Sequence, residues 1–273
     1  MNSMDQFPLF LVLVCATLAQ VLFIETGFRY GKFVQKKGPH KAQMAQVRAI
    51  MGASLGLLAF MLAFSFSMAQ QHFEVRTQAY MSEVSAIDSA FRGADLIQAG
   101  SRAEAKELLL NFAKLRLELA AAAEQSDTSA ILYMIRESER MHDQLWAIAE
   151  SSMENAANTD NTGIFAQSVL AMINAHDARL QAALFNRISP IIWMTLFLMA
   201  LLSMIVMGYQ AGLTGTRSTL ATWTLAITFS AVMTLITDLD RPNMTLFHVN
   251  QELMQELAGR MEEVVDESPD EIQ

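Results

Sequence analysis

Hydrophobic and polar positions alternate along this chain in long blocks, and four blocks stand out as nearly free of charge: Phe7–Ile24, Ala49–Ala69, Ile188–Tyr209 and Leu220–Thr237. A hydrocarbon layer of about 30 Å needs about 20 apolar residues in a helix, so each block predicts a membrane span. The first block is read as a retained span rather than a leader, because Met1–Gln6 carries Asp5 and no Lys or Arg, and no small-x-small site precedes a polar start.

Between the second and third blocks the period changes to that of amphipathic helices. Phe73, Tyr80, Val84, Ile87 and Phe91 fall on one helical stripe, and no proline or glycine interrupts Leu57–Arg92, so the second span is expected to continue as one helix to Gly93 or Ala99–Gly100. Ser101 followed by Glu104 suggests a capping box that opens a helix carrying Leu108, Leu109, Phe112, Leu115 and Leu119 to about Glu124. A further helix is expected over Ala130–Ser152, ended by "NAANTDNTG" at 155–163, and another over Ile164–Asn186. Pro190 then sits at the first turn of the third span, where proline is tolerated. No strand-like alternation is sustained. The expected fold is all-α: four transmembrane helices, two plus two, continued by an extramembrane four-helix segment. This divides the chain into 1–69, 70–187, 188–237 and an acidic tail 238–273, whose end from Glu262 lacks a stripe and is expected to be mobile.

Composition narrows the function classes. The chain of 273 residues is 52% hydrophobic and 17% charged, too apolar for an ordinary soluble domain. A net charge of −9 argues against nucleic acid as a partner. Cys15 has no second cysteine to pair with, and the 19 methionines are scattered without a metal-binding cluster. No glycine-rich phosphate loop, paired CxxC or HExxH occurs, and the expectation is a protein that is not an enzyme. His142 and His176, each followed by Asp, are read as solvated or salt-bridged helix residues, since adjacent helical positions point about 100° apart.

Charge also suggests an orientation. Glu25–Arg48 holds Arg29, Lys32, Lys36, Lys37, Lys41 and Arg48 against one acid, which places 25–48 in the cytoplasm and 70–187 outside it. Two places carry candidate chemistry. In "LLAFMLAFSFSMA" at 57–69, Phe60 and Phe64 lie one turn apart beside Gly52, Gly56, Ala59 and Ala63, which suits a close-packed or lipid-facing helix, or an aromatic constriction around an oligomer axis. "DLDRP" at 238–242 puts two carboxylates at the end of the fourth span, where they oppose the helix dipole. Arg241, Arg179, Arg187 or a bound cation are the candidate compensating charges.

The residues as a set resemble the bestrophin-like family of bacterial membrane proteins: "ETGFRYGK" at 25–32, "LGLLAFMLAFSFSMA" at 55–69, "EVSAIDSAFRGADLI" at 83–97, "INAHDARLQAALFNRISPIIW" at 173–193, "GYQAGLTGTRS" at 208–218 and "DLDRP" at 238–242. The resemblance implies a multi-pass protein of the bacterial inner membrane. Its distant relatives, the bestrophins, are pentameric anion channels whose second transmembrane helix lines the pore, with a phenylalanine pair at the neck and, in animal members, a calcium-binding acidic segment after the fourth span. Phe60 and Phe64 match the neck pair, Gly56 stands one turn earlier where a branched residue is expected, and Asp238 and Asp240 occupy the place of the acidic segment. "DLDRP" is shorter than the animal calcium segment, and the bestrophin soluble part is cytoplasmic, opposite to the charge-based orientation. The reading is a homo-oligomeric small-anion channel with no cofactor unless calcium. The alternative is a non-conducting sensor or scaffold whose bundle binds a ligand or partner.

Overall fold

A computed structural model describes residues 8–36, 41–125, 127–154, 159–215, 218–241 and 251–267. Every regular element in them is helical: α1 (Leu9–Gln35), α2 (Lys41–Gly93), a 3-10 turn (Ala94–Leu96), α3 (Ala99–Glu124), α4 (Thr128–Glu154), α5 (Thr159–Phe185), α6 (Pro190–Thr214), α7 (Thr219–Asp240) and α8 (Glu252–Asp266). Among the described residues four helices are long and apolar enough to cross a membrane; they contain three of the expected spans whole and the first from Leu9 onward, Phe7 lying outside the described residues. The chain divides into two compact units, residues 1–73 with 187–247, and residues 74–186 with 248–273.

The first unit gathers the apolar spans. α1 runs to Gln35, so the first half of the expected 25–48 loop is helix, extended by an Arg29–Glu25 pair of 2.9 Å at i,i+4. Leu58, Leu62 and Ala69 of α2 pack with Leu196 and Ala200 of α6 and with Met233, Ile236 and Leu239 of α7. α1 and α6 come close enough that Gly27 and Gly31 face Gly208 and Gly212 backbone to backbone. α6 starts with Pro190 at its first turn and ends on Gly215 in the left-handed conformation, φ 70°, a conformation that glycine adopts without a Cβ penalty. Hydroxyls of α7 find partners within the unit: Thr228, Thr234 and Thr237 donate to carbonyls one turn back, and Ser230 accepts from Gln20 Nε2 at 3.0 Å.

The second unit is a helical bundle. Tyr80, Ile87 and Phe91 of α2 meet Leu109 and Phe112 of α3, Leu145 and Ile148 of α4, and Phe165, Val169 and Met172 of α5 around one core. α3 begins two residues before Ser101, and its N-cap, Gln98, makes no side-chain cap; the expected capping box is not used. α8 overlaps the end expected to lack a stripe only over Glu262–Asp266. Met254, Leu257, Ala258 and Met261, spaced i, i+3, i+4 and i+7, are buried against the bundle, and the helix runs to Asp266 with Val265 still packed on the core. The Tyr80 hydroxyl accepts the Met254 N–H at 3.1 Å, satisfying a donor that a helix N-terminus leaves open.

Candidate functional site

In the first unit α2 carries two unlike faces over the span. Leu58, Leu62, Ser65 and Ala69 are buried, whereas Ala53, Gly56, Leu57, Phe60, Phe64 and Ser67 are exposed. Phe60 is 65% and Phe64 52% exposed, and a Cβ placed on Gly52 or Gly56 meets nothing within 4 Å. This uncovered face carries two glycines, which the exposed faces of α6 and α7 lack. α6 shows bulky Ile191, Met194, Leu198 and Leu202, and α7 shows Leu220, Trp223 and Ile227, side chains suited to lipid. α2 shows glycine, alanine and serine with Phe60, Phe64 and the aliphatic Ile50 and Leu57.

Of the two carboxylates of "DLDRP", Asp240 takes partners other than the arginines considered above. α7 ends because Arg241 precedes a proline and takes the extended conformation this favours, φ −76° and ψ 140°. Asp238 is fully buried, and the Arg241 N–H donates to its carbonyl at 3.2 Å. Asp240 reaches the start of α6: its Oδ1 accepts the Ile188 N–H at 2.7 Å and its Oδ2 the Trp193 Nε1–H at 3.4 Å, with His72 Nδ1 3.9 Å away. The charge that opposes the dipole of α7 therefore lies at the positive end of the α6 dipole. Arg187 is half-buried in the same unit, and Arg179 belongs to the bundle unit, engaged with Glu83.

These residues do not suit calcium, which takes six to eight oxygen ligands. Both Asp240 oxygens already accept protein N–H groups. Among the described residues no group of three His, Cys, Asp or Glu side chains is disposed to hold a metal. Asp240→Ala is expected to weaken the α6–α7 junction by about 1–3 kcal/mol, the cost of stripping an acceptor from buried donors. Trp193 emission, read with Trp146 and Trp223 replaced by Phe, should shift to the red, and added calcium should change neither protein.

Among the described residues a buried polar constellation lies in the bundle. Glu83 of α2, 0% exposed, faces Arg116 of α3 with its Oε1 3.0 Å from Arg116 Nε and 3.0 Å from His176 Nδ1 of α5. Its Oε2 is held by Arg179 of α5, whose guanidinium also lies 4.8 Å from the Tyr80 ring centre. His142 of α4 completes the group, its ring 4.7 Å from that of His176 and edge-on to it, with Phe112 against both rings. Burial would raise the Glu83 carboxyl, but Arg116, His176 and Arg179 together hold it down to about 2. His142 is pushed down to about 4 by burial first, then by its cationic neighbours. The two histidines are thus buried, not solvated, and the partner of His176 is Glu83 rather than the adjacent Asp177. Sequence spacing gave no sign of this group. The only available signal was polar residues on otherwise apolar stripes: Glu83 beside Val84 and Ile87, Arg116 beside Leu115 and Leu119.

With the uncovered α2 face, the Asp240 junction and the buried cluster in place, comparison with known families is informative. A family model described as Bestrophin-like domain matches residues 10–252. The chain belongs to the Bestrophin-like family. The match takes in all four spans and the bundle helices α2 to α5 of this bestrophin-like chain, ending at the first residue of α8. No curated protein and no solved structure matches it.

Proposed function

We propose that this bestrophin-like protein is a homo-oligomeric channel of the bacterial inner membrane that conducts small anions, with α2 of each copy facing the central axis. The observation that carries the reading is the face of α2 left uncovered in the membrane unit: small residues at Gly52, Ala53, Gly56, Ala59 and Ala63 permit close approach of copies, and Phe60 with Phe64 supplies a dewetting constriction. The resemblance to bestrophins supports five copies. Lipid packing alone accounts poorly for glycines at two successive turns beside the bulky outward faces of α6 and α7.

Purified protein in liposomes tests this directly. Chloride flux is expected, and Phe60→Ala with Phe64→Ala should raise it and reduce discrimination among halides, because a dewetted ring of aromatics is the narrowest barrier. Unaltered flux, or particles whose axis is not lined by residues 50–70, would overturn the assignment of the constriction.

A further inference from the structure

The cluster in the bundle has one carboxylate and a surplus of cationic groups. Glu83 is shared by Arg116 and Arg179, so the group carries one net positive charge even with both histidines neutral. His176 must be the Nδ1–H tautomer if neutral, since the ionised Glu83 only accepts, and this leaves its Nε2 without a partner. Four buried nitrogens of the cluster make no hydrogen bond: Arg116 Nε, which has only its ion pair with Glu83, and Arg116 Nη1, His142 Nε2 and His176 Nε2, on side chains 2%, 6% and 1% exposed. Arg116 Nη1 can only donate, so what satisfies it must be an acceptor.

We propose that the bundle core binds one small monovalent anion, of chloride or bromide size, between Arg116 Nη1 and His142 Nε2, the latter donating once its ring takes up a proton. A water molecule would accept the Nη1–H; an anion also offsets the charge of Arg116, which is 2% exposed and shares its one carboxylate with the partly exposed Arg179. The buried position and the Phe112 ring against both histidines exclude an organic ligand. The site is separate from the α2 face and stands whether or not the protein conducts.

Proton linkage follows from what surrounds His142. Facing it are His176 from α5, Glu83 from α2 and Arg116 from α3, with Arg179 of α5 on the other oxygen of Glu83, while Asp143 and Asp177 are exposed. Its ring is held neutral, with a value of about 4 in place of the usual 6.5. An anion within about 4 Å favours the protonated ring by a few pH units at an intermediate effective dielectric, so anion affinity should rise about tenfold between pH 8 and pH 5.5.

The test uses the full-length protein in detergent at constant ionic strength, with bromide exchanged for gluconate. Bromide at ten times its dissociation constant multiplies the folding constant about elevenfold, equivalent to about 1.4 kcal/mol and a rise of about 3–5 °C in Tm. The rise should be larger at pH 5.5 than at pH 8, and crystals soaked in bromide should give an anomalous peak beside Arg116 Nη1. His142→Phe, which keeps an aromatic ring against Phe112, should fold and lose the pH dependence. Arg116→Lys, which keeps a cation for Glu83, should lose the bromide effect. Phe60→Ala with Phe64→Ala should retain it in full. An equal bromide effect in wild type and both cluster variants, no effect in wild type, or density for water alone beside Arg116 would each overturn the proposal.

Discussion

Glu83→Gln is expected to cost the bundle about 3–5 kcal/mol, because it removes the one carboxylate around which Arg116, Arg179 and His176 are organised. The side chain keeps its size, so no cavity contributes. What is lost is the compensation of two guanidiniums, one of them 2% exposed. Hydrogen exchange should report the change in α3, α4 and α5 amides, with protection falling together while α1, α6 and α7 keep theirs. Replacing Arg116 by Met as well should recover part of the loss, since the double variant no longer strands that cation. Acid should imitate the substitution in two steps. His142 is depressed in the folded state, so its contribution is complete above its unfolded value of 6.5 and is lost as pH falls through that value toward about 4. Glu83 is likewise depressed, so its contribution is present above 4.5 and is lost as pH falls from there toward about 2. A bundle that kept its protection in Glu83→Gln would show that the guanidiniums find solvent or another acceptor.

How much of this was legible follows from which interactions are local. The spans were readable because lipid imposes length and apolarity on each helix alone, and α7 ends where the residue before a proline must. The stripe of α8 was equally local: Met254, Leu257, Ala258 and Met261 carry a helical period within an acidic stretch, which net charge obscured. The buried cluster was not readable. Glu83, Arg116, His142 and His176 come from four helices, and a charged residue on an apolar stripe does not say which residues of other helices it meets. Asp240 is an intermediate case. Its conflict with the α7 dipole was evident from position, but its resolution at the start of α6, 52 residues away in sequence, required the fold.

Gly208→Ala is expected to disrupt the membrane unit more than any other single methyl group. A Cβ there would collide with the Ile24 carbonyl, and one on Gly27 with the Ile205 carbonyl; both obstacles are helix backbone and cannot rotate away. α1 and α6 would have to separate along the shared surface of Gly27, Gly31, Gly208 and Gly212, losing the van der Waals contacts that replace the hydrophobic drive in lipid. A cost of about 3 kcal/mol or more follows, at or beyond the upper end for overpacking, and the measurement is the thermal midpoint and yield of folded protein in detergent. Gly52→Ala and Gly56→Ala supply the contrast. Within one copy their Cβ atoms enter open space, so alanine should be neutral or add up to about 1 kcal/mol through helix propensity. If copies assemble on the α2 face, the same two substitutions should weaken the oligomer while sparing the fold of each subunit. Gly208→Ala acts before assembly and Gly56→Ala acts on it, so comparing monomer stability with oligomer mass across the pair separates helix packing inside a subunit from packing around an axis.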